Sequence, residues 1–331
     1  MNTIPRPPWF DAPCGEVNAA FAADRLAHGL LIHEDPGAGG LEFARWIAQR
    51  VNCREPSRAP CGECQDCRWI AADQHPDVTR LSPEEDSTQI VIHQVRDLSA
   101  ELALTAHGRG YKIAIVSPAE AMNHFAANAL LKTLEEPPRR TLVLLVTSQP
   151  SRLLPTLRSR CSRLRLPGPT REVAAGFLEA ARGAGPWADA LSATGAGPFS
   201  LLDADPAALA QLRSDTISTL REIGSGNVQP PAVAERWAKK DDFAIRLSCL
   251  ESWVTDRILE TAPIRDVTHL SGAALPPKIC RLFEFSDAIR DMRKLAHTSI
   301  NKTMAVEALL WRWARQRMRE QGVPAPTSPD C

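Results

Sequence analysis

Net charge is what this chain lacks: 39 Lys and Arg stand against 39 Asp and Glu over 331 residues. Affinity for nucleic acid comes largely from excess cations that neutralise phosphates, so a protein that coats DNA through its overall charge is excluded, while local basic strips remain open. Also missing is any run of 18 or more uncharged apolar residues, and no transmembrane helix is expected. The opening Met1-Asn2-Thr3-Ile4-Pro5-Arg6-Pro7-Pro8 has no apolar core of a secretion signal, so a cytoplasmic location is expected. No internal repeat is visible. What is present, 44% hydrophobic and 24% charged residues, fits a soluble globular protein too long for one core, with two or three domains.

The first half alternates β-type runs with helical patterns. Leu30 to Ile32, Val78 to Leu81, Lys112 to Val116, Leu142 to Val146 and Arg163 to Leu166 read as strands. Continuous apolar character, as in Leu142-Val143-Leu144-Leu145-Val146, suits a strand covered on both faces, and helices between such strands imply a parallel α/β sheet. Leu41 to Val51 and Gln94 to Ala106 have helical spacing, and Met122, Phe125, Ala126, Ala129, Leu130 and Leu134 are expected on one helical face. Pro137 and Pro138 stop that helix. Pro167-Gly168-Pro169-Thr170 reads as a hinge, after which the chain is all helical: Arg171 to Arg182, Trp187 to Leu202, Ala207 to Ile223, Ala232 to Lys239, Ala244 to Leu259, Lys278 to His297 and Lys302 to Arg319. In the last of these Val306, Leu309, Leu310, Trp313 and Arg317 share a face, and Pro324 to Cys331 reads as a frayed tail.

Four of the nine cysteines are grouped as Cys53-x7-Cys61-x2-Cys64-x2-Cys67, among Pro56, Pro60 and Gly62. A reducing compartment favours thiols or metal ligands over disulfides. Four soft ligands on tight turns suit a closed, tetrahedral, structural Zn2+ site rather than a catalytic one. A zinc ribbon that binds DNA is the alternative, but Arg54, Arg58 and Arg68 are offset by Glu55, Glu63 and Asp66, so no basic stripe supports it.

A second absence concerns chemistry. His33-Glu34-Asp35-Pro36-Gly37-Ala38-Gly39-Gly40-Leu41 follows the first strand and precedes a helix, as a phosphate loop of the G-x-x-x-x-G-K-[ST] type does. Gly37, Gly39 and Gly40 are there, but Gly40 and Leu41 stand where Lys would meet the β- and γ-phosphates and a hydroxyl would hold magnesium. The strand Lys112 to Val116 ends in Ser117-Pro118 where a working ATPase needs two acids, and Glu120 reads as the start of the following helix. Hydrolysis in cis is therefore excluded, and residual nucleotide binding through backbone amides should be weak. Yet Ser159-Arg160-Cys161 is a cationic tripeptide within a run of arginines, Leu157 to Arg165.

Ala127-Asn128-Ala129-Leu130-Leu131-Lys132-Thr133-Leu134-Glu135-Glu136-Pro137-Pro138, then Leu157-Arg158-Ser159-Arg160-Cys161, with the four-cysteine insert after the first helix of the sheet domain, resembles bacterial clamp-loader subunits of the AAA+ class. A loop without Lys and Thr beside a retained Ser-Arg-Cys element is similar to the delta-prime subunits of DNA polymerase III. That resemblance implies an AAA+ α/β domain with the cysteine module (residues 1–166, module 53–67), a small helical lid (167–207) and a helical collar domain (208–331). It implies that Arg160 serves as an arginine finger in trans, with Ser159 and Cys161 positioning it. It also implies partners: tau/gamma motor subunits, the delta subunit, and through the assembly the β sliding clamp and primed DNA. Gly195-Ala196-Gly197-Pro198 lies where motor subunits carry a second sensor arginine, and none is present. The expected function is a non-hydrolysing stator without ATPase or polymerase activity of its own. The rivals are an ATP-hydrolysing AAA+ motor subunit and a zinc-dependent DNA-binding regulator.

Overall fold

The computed structural model describes residues 5–85, 87–106, 110–238, 242–261, 276–295 and 301–320. The proposed tail Pro324 to Cys331 lies outside them, as does the side chain of Arg317. Two compact units divide the chain. The first holds residues 1–177 with 197–200, the second residues 178–196 with 201–331.

The first unit opens with α1 (Asp11–Ala22) and is built on five strands: β1 (Gly29–Glu34), β2 (Val78–Leu81), β3 (Lys112–Val116), β4 (Thr141–Thr147) and β5 (Ser162–Leu166). All pairings are parallel, in the spatial order β2-β3-β4-β1-β5. The five expected strands are therefore all present, each within two residues of its expected ends. Every residue of β3 and β4 is buried: the apolar runs Ile113 to Val116 and Leu142 to Val146 suit a strand covered on both faces, and the buried Lys112 pairs with Asp77 at 3.7 Å. One side of the sheet packs with Phe10, Phe43 and Ile47, the other with Leu98, Leu130 and Leu157. Helices α2 (Gly40–Asn52), α3 (Gln65–Ala71), α4 (Ile92–Ala103), α5 (His124–Glu135) and α6 (Pro155–Arg160) fill the crossovers, and α7 (Arg171–Arg182) follows β5.

Some helical expectations shift. α4 begins earlier and ends three residues before Ala106; the Val91 N–H is met by Gln94 Oε1 at 2.9 Å, which fixes the start. α5 begins only after Asn123, whose side chain accepts from the Ala126 N–H at 2.9 Å, so Met122 precedes the helix. The buried face of α5 is Ala126, Ala127, Leu130, Thr133 and Leu134; Phe125 points away from it and is 69% exposed. The buried face thus departs from the expected one at Phe125. Glu120 does not start α5 either: it sits in a separate 3-10 turn, Ala119–Ala121, where its carboxylate accepts from the Ser148 N–H at 3.3 Å and the Ser148 hydroxyl at 3.0 Å.

The second unit contains α8 (Trp187–Thr194), α9 (Pro206–Gly224), α10 (Pro230–Ala238), α11 (Phe243–Thr261), α12 (Pro277–Leu295) and α13 (Lys302–Glu320). The single helix expected over Trp187 to Leu202 breaks after Thr194, because Gly195 adopts a left-handed conformation at φ 61° that ends a helix. Leu220, Trp237, Leu250, Phe285, Ile289 and Leu310 form its core, and the Trp313 indole donates to the Leu220 carbonyl at 2.9 Å. Arg246 is buried there, but paired: Asp215 lies at 2.7 Å and Asp242 at 3.2 Å, and Trp237 lies beneath the guanidinium at 5.2 Å. A buried cation is tolerated only with such partners. No helix among the described residues is long and apolar enough to cross a membrane.

Candidate functional site

Three features expected to carry function lie in the first unit. The glycine loop joins β1 to α2. Gly37 and Gly39 have φ of 73° and 97°, a region other residues rarely enter, so the turn itself needs glycine at both positions. The amides of Gly39 and Gly40 converge on one acceptor, Glu34 Oε2, at 3.1 and 2.6 Å. Glu34 occupies the position of the first glycine in the G-x-x-x-x-G-K-[ST] pattern, with Gly40 and Leu41 at the Lys and Ser/Thr positions. Burial pushes its carboxyl above the usual carboxylate range, partly offset by these two amide bonds. Asp35, next along, pairs with Arg165 at 2.6 Å and accepts from the Gly168 N–H at 2.8 Å, tying the loop to the segment after β5. Gly197–Ser200 also packs on the loop: the Phe199 N–H donates to the Gly37 carbonyl at 3.1 Å. Sequence reasoning missed both Glu34 and Phe199. Setting the loop against the motif position by position would have exposed the glutamate; nothing local to Phe199 announces its contact with a loop some 160 residues earlier.

Arg160 is the last residue of α6, and its side chain is exposed. Nη1 donates to the Thr156 carbonyl at 3.2 Å, and Nη2 pairs with Glu135 Oε1 at 2.5 Å at the end of α5. Both side chains are open to solvent, so this ion pair is worth at most about 1 kcal/mol. Ser159 donates to the Thr156 carbonyl at 3.0 Å and is exposed. Cys161 turns inward, 8% exposed, and burial pushes its thiol up to about 11, which marks it as a packing group. The strand pairing sets where Arg160 can act. β1 and β5 are parallel neighbours, Leu30 facing Ser162 and Glu34 facing Leu166. Arg160 precedes β5 and its carbonyl lies beside Gly29, whereas the loop follows β1. The two thus sit at opposite ends of the sheet, separated by about 20 Å at roughly 3.3 Å per residue. Arg160 does not meet this chain's own loop.

The four cysteine sulfurs lie within 4.8 Å of one another. They are gathered by turns: Cys64 caps α3 by accepting from the Cys67 N–H at 3.5 Å, Cys61 accepts from the Cys64 N–H at 3.2 Å, and Cys53 accepts from the N–H groups of Cys61 and Glu55, each at 3.4 Å. Backbone donors aimed at sulfur favour thiolate, and those of Cys64 and Glu63 bring the Cys61 thiol down to about 6. Burial moves Cys53 and Cys67 the other way. The donor set and spacing fit one metal ion that takes four soft ligands. The module is anchored from both sides: Gln49 donates to the Cys67 carbonyl at 2.8 Å, and Arg54 grips Asp66 through two bonds of 2.7 and 3.0 Å. At the base of α2, Asn52 accepts from the Tyr111 N–H at 2.6 Å and donates to its carbonyl at 3.1 Å, fixing the helix to the entrance of β3.

β3 ends at Val116, and Ser117 donates its N–H to the Leu81 carbonyl at 3.0 Å.

The family model described as DNA polymerase III, delta subunit, matches residues 13–170. Over 306 residues the chain is 32% identical to the DNA polymerase III subunit delta' of Pseudomonas aeruginosa, spanning 87% of this chain and 92% of that protein. Similarity to the subunit delta' of Escherichia coli K12 is 37% identity over 172 residues, 52% of each protein. The DNA polymerase III subunit tau of the same organism is 33% identical over 144 residues, 43% of this chain and 22% of that one.

Proposed function

This chain belongs to the DNA polymerase III delta' family, related to clamp-loader subunits, and from that premise we propose that it is the non-hydrolysing stator of a clamp loader, which lends Arg160 to the ATP site of a neighbouring subunit. The observation that carries the reading is the placement of Arg160 at the end of the sheet opposite to the chain's own loop. A cation there has no phosphate to serve within its own chain, but it faces outward on an exposed helix end. Charge that develops on a transferring γ-phosphate is stabilised by such a finger, an effect of about three to five powers of ten in other NTPases. Cys161 fixes the end of α6 against the sheet, and Ser159 adds a bond to the same helical turn.

The remaining parts follow from the same reading. Tau/gamma motor subunits and the delta subunit are the direct partners; the β sliding clamp and primed DNA are met through the assembly. The cysteine module holds Zn2+ through Cys53, Cys61, Cys64 and Cys67, a closed site that braces the loop between α2 and α3. Residues 167–207 and 208–331 act as lid and collar. A motor subunit is disfavoured by Gly40, Leu41, Ser117 and Pro118, and a DNA-binding regulator by the balanced charge.

The test pairs two measurements. Purified chain should show no ATP turnover above background, and it should co-purify with tau/gamma and delta only when residues from about 208 onward are present. Turnover by the chain alone would replace the stator with a motor subunit, and failure to assemble would remove the partner assignment.

A further inference from the structure

We propose that Glu34 is a built-in occupant of the phosphate cradle, and that its carboxylate, with the Phe199 ring closing the loop from outside, shuts this site to nucleoside triphosphates. This autoinhibitory contact stands apart from the role of Arg160. The amides at the start of a helix after a glycine loop are the donors a phosphate would use. Here both are taken, Gly39 and Gly40 donating to the same carboxylate oxygen at 3.1 and 2.6 Å. The carboxylate matches a phosphate oxygen in charge and acceptor strength, and because it is tethered to the loop, a free anion must displace it at an unfavourable effective concentration.

Gly40 is part of the same arrangement. A Cβ built there would lie 2.7 Å from Glu34 Cδ and 2.6 Å from Val146 Cγ1, so any side chain at position 40 would collide with the seated carboxylate and the sheet. The lysine of a working loop and the inward-turned Glu34 therefore exclude each other. Glutamate at the first position of the motif can turn inward because the lysine position holds glycine.

The outer face is closed as well. A Cβ on Gly39 would come within 2.3 Å of the Phe199 ring, and one on Gly197 within 2.4 Å of the Gly37 carbonyl group. Phe199 is itself held, with its centroid 5.3 Å from Phe177, 6.2 Å from Phe10 and 6.3 Å from Trp9. From the same cluster the Trp9 indole donates to the Ala38 carbonyl at 2.8 Å. The loop is thus bonded inside and packed outside with no ligand.

The experiment uses the full chain with magnesium pyrophosphate as the probe, and follows the amide NMR signals of Gly39 and Gly40. In the wild type both signals should follow titration of the Glu34 carboxyl and stay still as pyrophosphate is added. Glu34→Ala should bind the probe at least about tenfold more tightly than wild type, with both amides shifting. A smaller gain, or saturable movement of the two wild-type signals with pyrophosphate, would overturn the proposal. If Glu34→Ala fails to fold, the wild-type titration decides alone.

Discussion

The loop after β1 and the turn before β5 belong to neighbouring strands, yet they are built in opposite ways. The loop is held from every side: its amides are bonded to Glu34, its outer face is packed by Phe199, and its Asp35 is tied to Arg165 and the Gly168 amide. The turn is anchored only from below, through Cys161 and Leu157 in the core, while Arg160 rests on solvent-exposed contacts with Glu135 and Thr156. In the loop, internal bonds take up the amide donors and packing covers the outer face. The Arg160 guanidinium is held by exposed contacts that cost little to break. Rigidity and availability are here divided between the two ends of one strand pair.

Several changes can break or sharpen that contrast. The largest effect is expected from Cys64→Ser, which opens the thiolate module. Structural zinc in such sites contributes roughly 10–16 kcal/mol of apparent binding free energy. Metal analysis should show zinc lost and limited proteolysis should cut near residues 53–67, while the Gly39 and Gly40 amides keep their wild-type shifts. Disturbance of the loop would mean that the module, not Glu34 and Phe199, keeps it in place.

Gly39→Ala comes next. A methyl group at φ 97° within 2.3 Å of the Phe199 ring should cost about 2 kcal/mol or more, read as a shifted urea midpoint. A neutral result would show that the outer face is not closely packed.

Glu34→Gln should act through pH. Because burial raises the folded-state pKa above the ordinary glutamate value of 4.5, the stability linked to this carboxyl is complete below that value and is lost as pH rises through the folded-state pKa. The glutamine variant escapes this loss, so its unfolding midpoint should gain on wild type between pH 4.5 and neutrality. A relative loss over the same range would mean that the amide bonds outweigh burial. The smallest effect belongs to Arg160→Ala in the free chain, within about 0.5 kcal/mol, because its ion pair is solvent-exposed. A larger cost would make Arg160 structural.

Legibility in the sequence followed the number of neighbours each residue needs. β3 and β4 were plain because burial on both faces demands an unbroken apolar run, and the cysteines were plain because all four ligands lie within one short segment. α5 was only partly readable. An exposed phenylalanine and a buried one look alike in a helical pattern, and Phe125 falls one position from Ala126, where the buried face begins. Glu34 was harder still, since a glutamate after a strand reads as a solvated loop residue until the chain folds back and brings the Gly39 and Gly40 amides to it. Phe199 reaches the loop through long-range packing that no local window contains. The absence of lysine was therefore visible in the sequence, but the Glu34 carboxylate that meets the loop amides was not.

The most direct test of the central claim is ATP turnover by a reconstituted clamp loader that contains Arg160→Ala, with sliding clamp and primed DNA present. If Arg160 serves a neighbouring subunit as proposed, hydrolysis at that subunit's site should fall by about three powers of ten while the complex still assembles. Unchanged turnover at that site in an intact assembly would contradict the account.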